Sequence, residues 1–440
     1  MKILIICPAI FPDAVIAAVR ATMFAKYLSL FGHDVTVLRP GNVVNMAMGY
    51  NENRPFRVIS YLGDDCDAER AERGEAIQIK QNVSPKSVSP RSDFHARLSE
   101  FYHWVVEPLA IRRDIQQAKK HFALQKKALD RLSSEHFDVV FSTYSPLEDV
   151  FAGEYASQLF KCKWVMDFRD LLVQTTTRSR LRNYVFNRIQ KRALIKSDLC
   201  TAVSEGLSNA LKESVKSAIV ITLYNGYEPS SNGAQSVDER RGVFTICYTG
   251  NVYSRRAEAL RELLIALHTL DSEHRIDKNK IRFVYAGGQI DKLLPMFEEF
   301  GLEEILENHG FVAPTEADEL QRRSDVFLVL SWNTQQDRGI LTGKFYEGIR
   351  AHKPMLAVVV GEMPNSELSL LNEKYHYGYC YEKALKEQSF RELCDYITMV
   401  YNEKIKNGII SYKQDKALEE DFRYDVITKQ LETICFNLTK

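Results

Sequence analysis

Lys2-Ile-Leu-Ile-Ile-Cys7, the helical stretch 17–31, and Gly32-His-Asp-Val-Thr-Val-Leu38 together decide the architecture. The first run is uninterruptedly apolar, rich in β-branched residues, and stops at Pro8, as a strand buried on both faces does. Residues 17–31 place Ala21, Phe24, Ala25 and Leu28 on one helical face, and Gly32 stands where a helix C-cap favours glycine. Strand, helix and strand within the first 38 residues predict a right-handed βαβ unit.

The same rhythm recurs twice downstream. Asp138-Val-Val-Phe-Ser142, a helix from Leu147, Lys163-Trp-Val-Met166, a helix over 179–196, residues 199–203 and residues 218–223 extend the first series. A second series starts at Val243-Phe-Thr-Ile-Cys-Tyr248. It continues with a helix over 257–270, a strand over 281–286, a helix over 293–300, a strand over 325–330, a helix over 344–351 and a strand over 355–360. Two stretches break the pattern. Residues 51–92 are polar, with a Ser/Pro run at 84–90, and read as an irregular insertion. Residues 94–133 are helical in composition, with Pro108 expected to divide them into two helices. Pro229, Ser230, Ser231, Asn232 and Gly233 supply linker chemistry.

The fold class expected is therefore α/β, with two doubly wound Rossmann-like domains facing each other across a cleft. The domains are 1–228 and 243–414, joined by a linker at 229–242, and a C-terminal helix over 415–440 returns to the first domain. The length of 440 residues suits two cores. Hydrophobic residues at 45% and charged residues at 26% are globular values. The net charge is zero but uneven: residues 1–228 hold 31 Lys/Arg against 25 Asp/Glu, and the remainder reverses this. Eight cysteines stand singly without zinc-ligand spacing, as reduced thiols in a cytosol do. The apolar run before Pro8 is too short for a secretory signal, and no stretch approaches a bilayer span. A soluble protein, at most resting on a membrane, is expected.

The stretch richest in chemistry is Asp337-Arg-Gly-Ile-Leu-Thr-Gly-Lys344-Phe-Tyr-Glu347-Gly-Ile-Arg-Ala-His-Lys353-Pro354. It follows an apolar strand and opens a helix near Thr342 to Lys344. The free N–H groups of such a helix end suit a diphosphate, and Lys344 adds a full charge. Glu347, one turn on, can accept hydrogen bonds from ribose hydroxyls. The same pattern also fits a capped surface helix with a Glu/Lys pair.

This stretch resembles the donor-binding signature of the retaining family-four glycosyltransferases, which have the GT-B fold. Phe11-Pro-Asp13, Gly32-His-Asp-Val-Thr-Val37, Asp167-Phe-Arg-Asp170, Ala202-Val-Ser-Glu205, Tyr224-Asn-Gly-Tyr227, Tyr248-Thr-Gly-Asn251, Ala286-Gly-Gly288 and His309-Gly-Phe-Val312 resemble further family blocks, in chain order. The last two look like central strands of the donor domain. The resemblance implies Lys344, Arg255 (or Arg256) and Glu347 as the catalytic set, two cations on a diphosphate and a carboxylate on the ribose. It also implies donor contacts at Gly250, Asn251, Arg256, Gly287, Phe311, Val312, Gly339, Leu341, Thr342 and Gly343, the base lying near Phe311-Val312. Acceptor contacts are implied at Asp13, Arg20, Arg169 and Asp170, the last two serving either the acceptor or the loop itself. The cations would stabilise the leaving diphosphate. With two cations to take up that charge, neither metal nor other cofactor is expected.

Two departures stand out. The acid that the family places eight positions before the ribose Glu is Gly339 here, with Asp337 or Gln336 as substitutes. The family's His on a first-domain loop is absent from Ser142-Thr-Tyr-Ser-Pro-Leu-Glu-Asp149, where Glu148 or Asp149 carries the polarity. His33 and His352 read as turn residues.

The resemblance implies transfer from a nucleotide-diphosphate sugar to a saccharide or lipid-linked acceptor in cell-surface polysaccharide biosynthesis. The place expected is the cytoplasm, at the inner face of the membrane. An epimerase of the same fold, or a non-catalytic nucleotide-sugar-binding scaffold, is the alternative. Basic and aromatic residues over 94–127 and the basic helix 178–196 suggest peripheral contact with anionic lipid. No nucleic-acid recognition motif is present.

Overall fold

The computed structural model describes residues 1–11, 16–41, 54–62, 107–172, 180–229 and 242–440. The chain divides into two compact units, Met1–Tyr224 with Ile427–Lys440, and Asn225–Val426.

The first unit is built on β1 (Lys2–Ile6), β2 (Asp34–Arg39), β3 (Arg57–Ser60), β4 (Val139–Tyr144), β5 (Lys163–Phe168), β6 (Leu199–Ala202) and β7 (Val220–Thr222). Its helices are α1 (Ile16–Leu30), α2 (Glu107–Asp130), α3 (Leu147–Phe160), α4 (Arg180–Lys196) and α5 (Glu205–Ser214). The sheet order is β3-β2-β1-β4-β5-β6-β7, every pair parallel. Helices on both faces explain why Ile3 to Ile6 and Val139 to Phe141 are apolar without alternation: both sides of each strand are buried. Each such side chain contributes about 1.5–3 kcal/mol.

The second unit repeats the plan with β8 (Phe244–Thr249), β9 (Ile281–Ala286), β10 (Leu306–Asn308), β11 (Val326–Trp332), β12 (Met355–Val360) and β13 (Gly378–Glu382), in order β10-β9-β8-β11-β12-β13. Around this parallel sheet lie α6 (Arg255–Ser272), α7 (Ile290–Glu299), α8 (Pro314–Arg323), α9 (Gly343–Ala351), α10 (Glu367–Tyr375), α11 (Lys386–Asn407) and α12 (Lys416–Asp421). A helix α13 (Tyr424–Thr439) starts in this unit and ends in the first. The N-terminal ends of β8 and β11 are clamped by Asp325, which accepts from Thr245 N and Oγ1 at 2.8 Å each and from the buried Lys404 ammonium at 2.8 Å.

Several expectations shift. The division expected at Pro108 cannot be followed past Glu107, because the residues before it lie outside the described residues. Pro108 is the second described residue of α2, which runs unbroken from Glu107 to Asp130. The expected helical residues before Glu107, the insertion 51–92 apart from 54–62, and most of the linker lie outside the described residues. The single C-terminal helix is two, α12 and α13. Phe422 between them is buried in an aromatic cluster of the second unit, its ring 5.3 Å from Phe345, 5.8 Å from Tyr346 and 5.7 Å from Tyr375. Tyr227 also pairs into this region, its N–H on Phe422 O and its carbonyl on Tyr424 N. Chain from Asn225 onward, and up to Val426, thereby belongs to the second unit. His309 to Val312 follow the edge strand β10 rather than a central strand, and Phe311 is 90% exposed.

Candidate functional site

In an open parallel sheet the strand order reverses at one point, and ligands bind beyond the strand C-termini there. In the second unit that point is the β8/β11 pair, where Val326 lies beside Ile246 and Phe327 beside Cys247. The two chain segments leaving it are shaped by glycine. After Thr249 the chain turns at Gly250 (φ +114°), whose N–H donates to Ala286 O at 2.7 Å. A Cβ at Gly250 would lie 3.2 Å from Lys344 Cε. At Gly287 a Cβ would collide with Tyr285 Oη and the Gly250 carbonyl, so close approach requires glycine there, while the positive φ favours it at Gly250.

The loop after β11 is pinned along its length. Asn333 Nδ2 donates to Met363 O and Pro364 O at 3.1 Å each, Asp337 N–H to Thr334 Oγ1 at 2.9 Å, and Ser331 Oγ to Ile340 O at 3.1 Å. Gly339 takes φ +70°, a conformation an acidic side chain would strain. Helix α9 then begins at Gly343. Its N-cap, Thr342, makes no side-chain cap bond, and its buried Oγ1 has no partner.

A four-residue polar knot fills the space behind this helix end. Lys344 Nζ donates to Glu347 Oε2 at 2.6 Å and to Thr249 Oγ1 at 3.1 Å. Gln321 Nε2, from α8, donates to the same two oxygens at 2.8 and 2.7 Å. Gln321 and Thr249 are buried, whereas the Lys344 and Glu347 side chains remain 20% and 29% exposed. Among the described residues no donor reaches Glu347 Oε1. One carboxylate oxygen is thus held in place and the other is left to accept from outside. Beside the knot, Asp318 pairs with Arg350, and burial holds its carboxyl above the usual range against the pull of that guanidinium. The Cys247 thiol on β8 is pushed up to about 12 by burial and is no nucleophile at neutral pH.

Of the residues expected at the donor, Lys344, Glu347, Gly250, Gly287, Thr342 and Gly343 come together here. Arg255 and Arg256 open α6 after Ser254. Arg256 donates to Asn251 O at 3.4 Å and lies over the Tyr253 ring. Arg255 acts on Glu362, which follows β12. It helps hold Glu362 below the usual carboxylate range, though the Gln335 N–H bonded to that carboxylate at 2.8 Å acts more strongly. Leu341 and Val312 are half-buried, and Asn251 is exposed.

Thr249 and Gln321 were missed. Thr249 sits inside a stretch already singled out, and its hydroxyl at a strand end was the available signal. Gln321 lies on a helix the periodicity did not show, because α8 buries so little that its apolar stripe is faint.

In the first unit, Asp13 lies outside the described residues. Arg20 corrects an expectation. Its side chain is 4% exposed, donating to both Asp167 oxygens at 3.1 and 2.8 Å and to Tyr224 O and Leu223 O at 2.7 and 2.9 Å. Its donors are spent inside the fold, so it braces strand ends rather than meeting an acceptor. Arg169 is half-buried with Nη1 lacking a hydrogen-bond partner, and Asp170 is exposed. His33 bonds Glu432 at 2.9 Å, and His352 is the left-handed cap of α9, both structural. Among the described residues no three His, Cys, Asp or Glu side chains converge as a metal site would need.

No protein-family model matches the chain, and no curated protein matches it by sequence. Solved structures do match over its whole length. A sucrose-phosphate synthase from Thermosynechococcus elongatus aligns at TM-score 0.54 and 13% identity, covering 100% of this chain and 99% of that one. The fold is GT-B. The lipopolysaccharide outer core galactosyltransferase WaaB, in its apo form, aligns at TM-score 0.57 and 10% identity over 99% of both chains. HepE of Anabaena, in complex with UDP and glucose, aligns at 0.56 and 13% over 100% of both. The GT-B architecture thus holds across sequences with little in common, since it rests on the burial pattern of its two sheets.

Proposed function

We propose that the chain is a glycosyltransferase using a nucleotide-diphosphate sugar, bound at the β8/β11 switch point. The observation that carries this reading is the Lys344–Glu347 pair at an uncapped helix N-terminus, with Glu347 Oε1 open and Oε2 anchored by Gln321. A diphosphate at the start of α9 would meet free N–H groups, the positive helix end and Lys344. Lys344 then turns from Glu347 to phosphate, while Gln321 and Thr249 keep the carboxylate aimed at the ribose. As the bond from sugar to diphosphate breaks, these cations and Arg255 or Arg256 neutralise charge on the leaving group. The matched HepE and Escherichia coli trehalose-6-phosphate structures are complexes with UDP-glucose and UDP-2-fluoro glucose, which supports a nucleotide-sugar donor. Transfer with retention, to a saccharide or lipid-linked acceptor in surface-polysaccharide assembly, rests on the resemblance of the motif.

A thermal-shift screen of UDP-, GDP-, dTDP- and CMP-sugars tests the reading. A ligand at 100 times its dissociation constant stabilises by about 2.7 kcal/mol. A shift with one nucleotide class, lost in Lys344→Ala and Glu347→Ala, supports it. Full stabilisation of both variants would place the donor elsewhere and sink it.

A further inference from the structure

Helix α4 turns apolar side chains outward. It packs inward through Phe186, Gln190, Ala193 and Leu194. On the opposite side Leu181, Tyr184 and Ile195 are 44%, 61% and 64% exposed. At 3.6 residues per turn, positions 181, 184, 188 and 195 fall within one narrow sector of the helix. The helix carries six basic residues and no acidic one. Two of them are tied down: Arg182 to Asp114 of α2 at 2.9 Å, and Arg192 to Glu154 of α3 at 2.7 Å. Arg180, Arg188, Lys191 and Lys196 meet no carboxylate among the described residues. Helix α2, joined to α4 through Asp114, extends the surface with exposed Leu109, Arg113 and Lys120.

Exposed apolar groups interleaved with unpaired cations ask for a partner that is apolar and anionic at once. A second copy of this face would set like charges opposite each other. A nucleic-acid backbone would satisfy the cations and leave Leu181 and Ile195 in water. The headgroup boundary of an anionic bilayer accepts both, phosphates meeting the guanidinium and ammonium groups while the aliphatic side chains enter the acyl layer. We propose that α4, flanked by α2, is a docking surface for an anionic lipid membrane. The inference stands independently of the donor site, which lies in the other unit.

The test is co-sedimentation of the full chain with phosphatidylcholine vesicles and with vesicles also containing phosphatidylglycerol. Wild type should pellet with the second kind only and be released by salt. Arg188→Glu with Lys191→Glu should weaken binding at least tenfold, since each lost cation is worth roughly fivefold and the introduced acids repel. Tyr184→Ser with Ile195→Ser should weaken it as well, and because all four side chains are exposed the unfolding midpoints should not change. Binding to neither vesicle, or binding unaffected by both variants, overturns the proposal. So does lipid-free self-association abolished by the Tyr184/Ile195 pair, which would make the face a contact between copies. DNA binding that only the charge variant abolishes, without vesicle binding, overturns it too.

Discussion

Glu347 Oε2 lies 2.6 Å from Lys344 Nζ and 2.8 Å from Gln321 Nε2, so one carboxylate oxygen is held from two different helices. The arrangement separates two duties. Lys344 is partly exposed on the same helix as Glu347, whereas Gln321 is buried, so in the proposed function the lysine turns to the diphosphate while the glutamine keeps the carboxylate in place.

Lys344→Ala should weaken UDP or another cognate nucleoside diphosphate by about 1.5–3 kcal/mol, the range for a charge-assisted hydrogen bond. The nucleoside without phosphates should bind both proteins alike. Calorimetric titration of the two ligands checks this, and equal losses for both would remove the lysine from the diphosphate.

If Glu347 Oε1 reads the ribose, wild type should prefer a ribonucleotide over its 2′-deoxy or 3′-deoxy form, and Glu347→Ala should not. Gln321→Leu should reduce the same preference without touching the ligand, because it frees the anchored oxygen. Unchanged discrimination in Gln321→Leu would mean that the glutamine only fills space.

Gly250→Ala forces a side chain into φ +114° and toward Lys344 Cε, and should cost about 1–3 kcal/mol as well as donor affinity. Gly343→Ala meets nothing within 4 Å and should leave stability equal or raise it by about 0.4–1 kcal/mol. Its added methyl stands at the helix end proposed for the diphosphate, so donor binding should still fall. Urea midpoints and nucleotide titration separate the two effects.

Breaking the Arg20–Asp167 pair tests the structural role assigned to Arg20. Arg20→Met should destabilise by about 3–5 kcal/mol, since it leaves the fully buried Asp167 carboxylate without its cation. Arg20→Met with Asp167→Leu should recover part of the loss. A stable Arg20→Met protein deficient only in transfer would return the arginine to the acceptor.

Asp149 predicts a pH dependence. Burial, then the neighbouring Glu148, raise its carboxyl well above the ordinary range, against Gln125, which donates to Oδ1 at 2.5 Å, and Arg169. Tyr61 also faces this cluster, and its Oη and Asp149 Oδ2 are buried without partners. A carboxyl with a raised folded pKa keeps its proton where the unfolded chain has lost it. Its contribution is therefore full below the unfolded value and declines as pH rises through the folded one. Asp149→Asn should flatten that decline and be at least as stable as wild type at neutral pH. Chemical denaturation at several pH values above 4 measures it.

The strands 281–286 and 355–360 were legible to the residue because their apolar runs are bounded by polar or turn residues. The strands 57–60, 306–308 and 378–382 were not, being short, half-exposed edge or near-edge pieces with weak patterning. The Gly-Lys-x-x-Glu spacing was legible too, since residues three apart share a helix face.

Partners distant along the chain were a different matter. Thr249 and Glu347 are 98 residues apart, and Gln321 and Glu347 are 26 apart. Local periodicity records which positions want to be buried and in what repeat, and so it settled two parallel sheets wrapped in helices. It does not record which polar group waits at the end of another strand. That is why Arg20 read as a ligand contact until folding placed Asp167 against it, and why the C-terminal helix read as one until Phe422 found its aromatic pocket. Burial and pairing of polar side chains belong to the assembled tertiary environment; alternation and helix-face spacing belong to the chain itself.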